Sequence, residues 1–358
     1  MNRFSFSDKL LQQSVAERLA NHNTGRMLTP IVVEFDCTTA CNLNCAHCIN
    51  REILGRKFFT EQELLDYADS LHRMGVKAII LMGGGEPLMN PYIDTFIKKL
   101  KEHSFQIGMI TNGVLLHEHY DALKDIDWVR ISMDAATADT FFDQKKRHCF
   151  DAVLQNIAGF SQIKTRCSLG YSFLVFKNEH STNVHELAGA AALAKSLGCD
   201  YFEIKLQFED VGYNHPSVCL EEDEATEIAA QIKRAEALAA SGFSVLSNLN
   251  IKRMLDPLSY PGQEHMEQCY ICHLRTVITP QGLYTCSYHR GHAPMLYGES
   301  RGKDFERVWH SDERTRLVEQ MDPRNCVNCA RGPANMRIAE MLSSPDLFAA
   351  VPDSDLFI

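Results

Sequence analysis

Cysteine is the residue type best placed to do chemistry in this chain. The sequence of 358 residues contains 13 cysteines, and three of them form Cys41-Asn-Leu-Asn-Cys45-Ala-His-Cys48, directly after a strand-like run. Three thiolates at this spacing can bind three irons of a [4Fe–4S] cubane and leave the fourth iron open to chelate a small molecule. A zinc knuckle or a cysteine-rich turn is the alternative, but zinc favours four ligands from paired C-x2-C units. The spacing therefore favours an iron–sulfur site.

A second group of cysteines lies near the C-terminus. It comprises Cys269, Cys272, Cys286, Cys326 and Cys329. Clustered cysteines in a chain too large to need disulfide support are more often metal ligands or redox groups. Paired C-x2-C units also fit a structural zinc ribbon, so their spacing alone leaves zinc and iron–sulfur chemistry open. The other cysteines are interpreted as core or structural residues, and they are Cys37, Cys149, Cys167, Cys199 and Cys219.

Composition and charge exclude several function classes. Hydrophobic residues make up 45% of the chain and charged residues 23%, which is ordinary for a globular protein and excludes disorder and coiled coil. With 36 basic and 46 acidic residues, the formal charge is −10, so we expect neither nucleic acid nor a membrane as partner. The sequence contains no apolar run long enough for a membrane span and no signal-peptide core. We therefore expect a cytoplasmic protein.

The elements that must position these cysteines follow an alternating βα rhythm. A capping box at Thr60 and Glu63 predicts one helix start, and helices are predicted around 150–163, 184–197 and 221–241. Repeated βα order requires parallel strands with crossover helices, and active sites then lie at the carboxyl ends of the strands. The sequence predicts an α/β fold with a partial (β/α)6 parallel barrel. Its six strands are predicted at 31–35, 78–82, 106–110, 128–133, 169–175 and 201–206.

The rhythm changes after residue 250. Residues 277–285 predict a hairpin that turns at Pro280-Gln-Gly282, and a last helix is predicted near 333–342. These features indicate a small C-terminal, cysteine-rich α+β domain. The predicted organisation is an N-terminal helical extension at 1–27, a barrel domain at 28–250, the cysteine-rich domain at 251–345 and a tail at 346–358.

A glycine-rich turn is the second motif needed to interpret the first cysteine group. Met82-Gly-Gly-Gly-Glu-Pro87 ends the second predicted strand. With the cysteine triplet upstream, the chain resembles the radical S-adenosylmethionine (radical SAM) enzymes over roughly residues 28–340. The resemblance implies that Cys41, Cys45 and Cys48 bind a [4Fe–4S] cluster whose open iron chelates S-adenosylmethionine.

The resemblance also implies which residues contact this cofactor. Glu86 matches the acceptor for the methionine ammonium, and His47 stands where the family usually places an aromatic ring near the adenine. The full implied set is His47, Gly84, Gly85, Glu86, Asn112, Ser132 and Asp134. The implied reaction is reductive cleavage of S-adenosylmethionine to a 5′-deoxyadenosyl radical that removes a hydrogen atom from the substrate. A flavodoxin- or ferredoxin-type protein would donate the electron.

The second cysteine group resembles the SPASM and twitch domains appended to this family. A cysteine, a glycine-containing hairpin and a further cysteine are followed by Gly298…Phe305-Glu-Arg-Val-Trp309 and a closing C-x2-C. The resemblance implies an auxiliary [4Fe–4S] cluster of the shorter, twitch type. The favoured ligands are Cys269, Cys286, Cys326 and Cys329, with Cys272 as a competing ligand or as a free thiol near the site.

Three radical reactions remain open at this point. The main hypothesis is an oxidoreductase that dehydrogenates a small polar substrate, such as a sugar or cyclitol, and passes the electron to the auxiliary cluster. The alternatives are an epimerase in which Cys272 returns a hydrogen atom, and a ribosomal-peptide maturase, which the short segment before the first strand disfavours. A non-catalytic metal-binding scaffold is the remaining class. The candidate pocket residues, none assigned as catalytic, are Glu203, Lys205, Gln207, Tyr213 and His215.

Overall fold

A computed structural model of the chain describes residues 6–22, 28–176, 182–206, 221–247, 266–302, 304–326, 329, 331–344 and 349–358. The chain forms two compact units. The first contains residues 1–40, 52–107 and 261–358, and the second contains 41–51 and 108–260. The described strands are β1 (Val32–Asp36), β2 (Ala78–Met82), β3 (Gln106–Thr111), β4 (Trp128–Ser132), β5 (Ser168–Val175), β6 (Tyr201–Leu206), β7 (Ser244–Ser247), β8 (Arg275–Thr279), β9 (Gly282–Tyr284) and β10 (Leu296–Gly298).

Helices connect most of these strands. The described α-helices are α1 (Phe6–Leu10), α2 (Gln13–His22), α3 (Glu61–Arg73), α4 (Ile93–Glu102), α5 (Tyr120–Leu123), α6 (Ala138–Lys145), α7 (Phe150–Ile163), α8 (Leu187–Ser196), α9 (Glu222–Glu236), α10 (Ile271–Leu274), α11 (Phe305–Trp309), α12 (Asp312–Gln320) and α13 (Gly332–Ser343). The capping box predicted for α3 is present, because Thr60 N–H donates to Glu63 Oε2 at 2.8 Å and Glu63 N–H donates to Thr60 Oγ1 at 3.3 Å.

The first unit is built on the strand order β10-β9-β8-β1-β2. Strand β1 pairs in parallel with β2 and with β8, and Val32 is opposite both Ala78 and Arg275. The predicted hairpin is confirmed, since β8 and β9 are antiparallel with Thr279 opposite Gly282. Residues assigned from the sequence to a C-terminal domain thus continue the same sheet as β1.

The glycine and tryptophan of the Gly298…Trp309 segment have a packing reason in the first unit. A Cβ atom on Gly298 would lie 2.2 Å from Cγ1 of Val308, so glycine allows α11 to pack against β10. Trp309 is fully buried, and its indole N–H donates to the carbonyl of Leu28 at 2.8 Å. An aromatic core surrounds Phe35, whose ring centroid lies 4.9 Å from that of Phe96 and 5.3 Å from that of Tyr67.

The second unit holds the remaining parallel strands in the order β3-β4-β5-β6-β7, and the division between the units falls within β3. Consecutive strands are in parallel register, with Val129 opposite Leu169 and Tyr171 opposite Phe202. Helices α7, α8 and α9 are the connections that such parallel order requires. The predicted α/β fold with a parallel βα array is confirmed.

The domain boundary at residue 250 stays a prediction, because residues 248–265 lie outside the described part of the chain. None of the described helices is long and apolar enough to cross a membrane.

Candidate active site and second cysteine site

The glycine-rich turn after β2 is held against the end of the segment that precedes the cysteine triplet. Gly85 N–H donates to the carbonyl of Thr38 at 3.2 Å, and Glu86 N–H donates to that of Ala40 at 2.7 Å. A Cβ atom on Gly85 would lie 2.1 Å from the Ala40 oxygen, so only glycine permits this approach. The turn therefore has a fixed shape within the first unit.

Glu86 is 3% exposed, and its carboxylate stabilises the turn in which it lies. Its Oε1 atom accepts a hydrogen bond from Leu88 N–H at 3.2 Å and thereby caps the 3₁₀ helix Pro87–Met89. A buried carboxylate on a rigid turn is a suitable acceptor for an ammonium group.

The triplet Cys41, Cys45 and Cys48 lies in a loop of the second unit. Hydrogen bonds within that unit hold the loop in place. Ala46 N–H donates to the carbonyl of Gln144 at 2.8 Å, and Arg147 Nη1 donates to the carbonyl of Asn42 at 2.6 Å. Arg51 Nη2 donates to the carbonyl of Cys45 at 2.5 Å. Each of these bonds has a backbone carbonyl as its acceptor, so together they fix the course of the loop that carries the cysteines.

Lys145 provides positive charge beside these thiols, and sequence analysis did not single it out. Burial raises the pKa of Cys45, while Lys145 acts in the opposite direction. Burial by itself would lower the pKa of Lys145, but Asp134 and Cys45 outweigh it, so the net shift is upward. A buried ammonium stabilises thiolates, which are the form that binds metals. The signal in the sequence was the basic run Lys145-Lys146-Arg147.

The residues expected to contact the cofactor lie in different settings. In the second unit, the ring centroid of His47 is 5.7 Å from that of Phe176, and Asn112 Nδ2 donates to Asn42 Oδ1 at 2.7 Å. Ser132 Oγ is 3.3 Å from Asp134 Oδ2, which also forms an ion pair with Lys145. Thus Asn112 meets the cysteine loop, while Ser132 and Asp134 form one polar group with Lys145.

A charged cluster lies on β4 and β6 of the second unit. Glu203 Oε2 is 2.6 Å from Arg130 Nη1 and 3.2 Å from Lys205 Nζ. Of the pocket residues expected from the sequence, Glu203 and Lys205 are therefore together, while Gln207, Tyr213 and His215 lie outside the described residues, as does Cys219.

Four thiols of the second cysteine group lie close enough to influence one another. Burial, with a smaller contribution from nearby Cys329 and Cys269, raises the pKa of Cys286 to about 12. Burial likewise raises the pKa of Cys326 to about 12, assisted by Cys329, Cys269 and Cys286. Thiols with such raised pKa values stay protonated until positive charge is placed between them. The irons of a bound cluster would supply that charge, because the thiolate is the form that binds metal.

Backbone N–H groups are directed at these sulfurs. The N–H groups of Arg331 and Gly332 lower the pKa of Cys329 against the larger upward effect of burial, and Tyr288 N–H acts in the same way on Cys286. N–H donors to sulfur are a means by which proteins tune iron–sulfur clusters. Within the described residues, no three Cys, His, Asp or Glu side chains converge on a position for a single metal ion. Cysteine thiols with backbone N–H donors directed at them are the donor set that iron–sulfur clusters use.

Cys272 is the fifth thiol of this group and lies against Cys269. It is 3% exposed, and its Sγ donates to the carbonyl of Cys269 at 2.9 Å. A hydrogen bond with Cys272 and burial both raise the pKa of Cys269. Arg314 Nη2 donates to the Cys272 carbonyl at 3.1 Å and so holds the backbone at this residue.

Comparison with known proteins decides the family. The radical SAM superfamily model matches residues 36–191. Mycofactocin maturase MftC of Mycobacterium tuberculosis is 32% identical over 320 residues, which are 84% of this chain and 75% of that protein. The chain belongs to the radical SAM superfamily. Its cofactors are accordingly a [4Fe–4S] cluster, S-adenosylmethionine and an auxiliary cluster.

Solved structures support the fold of this radical SAM enzyme. Streptococcus suis SuiB bound to S-adenosylmethionine has a TM-score of 0.64 at 15% identity, covering 86% of this chain and 72% of that chain. The anSMEcpe structure with bound AdoMet and Kp18Cys peptide has a TM-score of 0.58 at 13% identity, covering 81% of this chain and 83% of that chain. At these identities the similarity concerns the fold alone.

Proposed function

We propose that this radical SAM enzyme is a peptide maturase. The observation that carries the proposal is the match to mycofactocin maturase, which covers 84% of this chain and so extends beyond the superfamily segment 36–191. SuiB, whose fold is similar, has been solved bound to its precursor peptide SuiA. This proposal replaces sugar or cyclitol oxidation, the main hypothesis from the sequence, with one of its alternatives.

The cysteine triplet and the glycine-rich turn serve S-adenosylmethionine in this proposal. When bound, the cluster and S-adenosylmethionine supply one-electron chemistry that removes hydrogen from an unactivated carbon. Cys41, Cys45 and Cys48 hold the irons, and Lys145 stabilises their negative charge. The buried Glu86 carboxylate would bind the methionine ammonium.

The cluster Arg130, Glu203 and Lys205 is the part of the second unit best suited to bind a polar substrate group. Burial lowers the pKa of Lys205 to about 8, and the positive charge of Arg130 acts in the same direction. Two cations share one carboxylate, so the cluster has a net positive charge when Lys205 is protonated. An acidic side chain or a carboxylate of the peptide would complement it.

The second cysteine group has a separate role. We assign the auxiliary cluster to Cys269, Cys286, Cys326 and Cys329, with Cys272 as a neighbouring thiol. Four protein thiolates would leave no iron open for a substrate, so a cluster at this site would accept or transfer an electron. Either outcome is compatible with an oxidative modification of a peptide.

The test is substrate discrimination under anaerobic conditions. Reconstituted protein is incubated with S-adenosylmethionine and dithionite, and in parallel with reduced flavodoxin or ferredoxin. The substrates are synthetic peptides encoded by short reading frames beside the gene, and a panel of sugars and cyclitols.

Mass spectrometry should find a modified peptide and 5′-deoxyadenosine in proportion to it. The variant Cys41→Ala/Cys45→Ala/Cys48→Ala is the matched inactive control. Consumption of a cyclitol or sugar, with every peptide unchanged, would reject the maturase proposal and restore small-molecule oxidation.

A further inference from the structure

Strand β1 carries two carboxylates in an interior position. Glu34 is 1% exposed and Asp36 is fully buried, and they alternate with Val33 and Phe35 in the strand. A buried carboxylate is tolerated when cations and hydrogen-bond donors surround it. The partners of these two carboxylates therefore show which parts of the first unit β1 connects.

Arg290 is the partner that joins both carboxylates. Its Nε is 2.8 Å from Asp36 Oδ2, and its Nη2 is 2.8 Å from Glu34 Oε2 and 3.1 Å from Asp36 Oδ1. The side chain is 2% exposed. A planar guanidinium can make these three bonds together, whereas an ammonium group cannot reproduce the same fork.

Asp36 connects Arg290 to the glycine-rich turn. The oxygen that Arg290 Nε contacts, Oδ2, also accepts a hydrogen bond from Gly84 N–H at 2.8 Å. Gly84 lies two residues before Glu86 in the same turn. The orientation of the Gly84 peptide is thus set by a carboxylate that Arg290 holds in place.

Arg290 itself lies in the segment that follows Cys286, a cysteine of the second group. It lies four residues after Cys286, and its Nη1 donates to the carbonyl of Ser287 at 2.9 Å. Glu34 reaches the same group from another side, because its Oε1 is 3.6 Å from Nη2 of Arg331, two residues after Cys329. Within the first unit, the β1 carboxylates therefore contact the glycine-rich turn, Arg290 in the segment after Cys286, and Arg331 in the segment after Cys329.

We propose that Arg290 is a positioning residue for S-adenosylmethionine, acting through Asp36 on the Gly84 peptide. It keeps the turn in the shape that receives the methionine part of the cofactor, and it makes this shape depend on the folded segment around Cys286. The inference rests on the proposed cofactor role of Gly84, Gly85 and Glu86. It does not depend on the substrate being a peptide.

The test compares Arg290→Lys and Arg290→Gln with Arg301→Lys in the full-length reconstituted protein. Arg301 is a suitable control because it also donates to a backbone carbonyl, that of Phe58, from a side chain that is 46% exposed. The measurements are iron content, the Kd of S-adenosylmethionine by equilibrium dialysis, and kcat and KM for its cleavage.

We expect Arg290→Lys to raise the Kd and KM for S-adenosylmethionine about ten-fold, the scale of one lost charge-assisted bond, with iron content retained. Arg290→Gln should raise them further, and Arg301→Lys should have no effect. Asp36→Asn keeps an oxygen for Gly84 N–H, so it should have a smaller effect and serves if the Arg290 variants fail to fold.

A purely structural role predicts a different pattern. If the Arg290 variants and Asp36→Asn lower Tm but bind S-adenosylmethionine as the wild type does, the inference is overturned. Glu86→Ala separates the two levels of the argument. Weaker binding in Glu86→Ala alone rejects only the role of Arg290, whereas unchanged binding in all of these variants rejects the cofactor role of the turn as well.

Discussion

Arg130 and Glu203 form an ion pair of 2.6 Å between β4 and β6, on either side of β5. Their side chains are only 18% and 13% exposed, so this pair is largely removed from water. The same Glu203 oxygen lies 3.2 Å from Lys205 Nζ. A carboxylate shared by two cations is strongly held, and its titration should be visible in the stability of the protein.

Glu203 should stabilise the fold at neutral pH and lose this effect in acid. Burial alone would raise the pKa of Glu203, but Arg130 and Lys205 outweigh it and lower the pKa to about 2 from 4.5. A lowered pKa in the folded state contributes stability above pH 4.5, which is lost as the pH falls towards 2. We expect Glu203→Gln to cost about 3 kcal/mol at pH 7, because it leaves the largely buried Arg130 and the partly exposed Lys205 without their shared carboxylate.

Anaerobic thermal unfolding between pH 7.5 and 4 provides the measurement. The difference in stability between wild type and Glu203→Gln should narrow below about pH 5, as linkage requires for this pKa. Arg130→Met/Glu203→Gln should be less damaging than Glu203→Gln alone. A difference that is constant with pH would contradict the ionised pair.

Regular elements were the part of the fold that local sequence could predict. The segments Ala78–Met82 and Tyr201–Leu206 are strands with the predicted bounds, because apolar and β-branched side chains recur through them. Strand β7, Ser244–Ser247, was missed since it is short, rich in serine and only half-buried. Helix α9 ends at Glu236, five residues before its predicted end, where Ala240 and Phe243 form a bridge.

Long-range partners were the part that could not be predicted. Arg275 and Glu34 form a buried ion pair although they are 241 residues apart in the chain. No local pattern specifies such a pairing, which arises from the parallel register of β8 with β1. A weaker signal was present in β1 itself, where Glu34 and Asp36 interrupt an otherwise apolar strand.

Glu86 should contribute to S-adenosylmethionine affinity through its charge. Glu86→Gln keeps an oxygen for Leu88 N–H, so the 3₁₀ helix Pro87–Met89 should remain capped. Glu86→Ala loses both the cap and the charge. A charge-assisted hydrogen bond contributes about 1.5–3 kcal/mol, so both variants should weaken binding by at least about ten-fold. Calorimetric titration checks this, and an affinity unchanged in Glu86→Gln would mean that the carboxylate is not the ammonium acceptor.

The cysteine triplet should be essential for S-adenosylmethionine cleavage and independent of the second cysteine group. Replacing Cys41, Cys45 and Cys48 by Ala should abolish 5′-deoxyadenosine formation while about four of about eight irons per chain remain, one cubane of two. Iron analysis and chromatography measure the two quantities. Cys37→Ala is the matched control, because Cys37 is fully buried and outside the triplet. Cleavage that persists in the triple variant would refute the assignment.

The second cysteine group should support product formation without being needed for cleavage of S-adenosylmethionine. Replacing Cys286 and Cys326 by Ala should reduce the iron content from about eight to about four per chain, and should leave cleavage but little modified product. Cys272→Ser is the matched control, since we place Cys272 beside the cluster rather than among its ligands, and it should retain all the iron. If Cys272→Ser instead stops turnover with both clusters intact, and product formed in D₂O carries deuterium, Cys272 is a hydrogen donor and the reaction is an epimerisation. A wild-type protein with about four irons and one zinc would make the second site structural, because a closed zinc site accepts no electron.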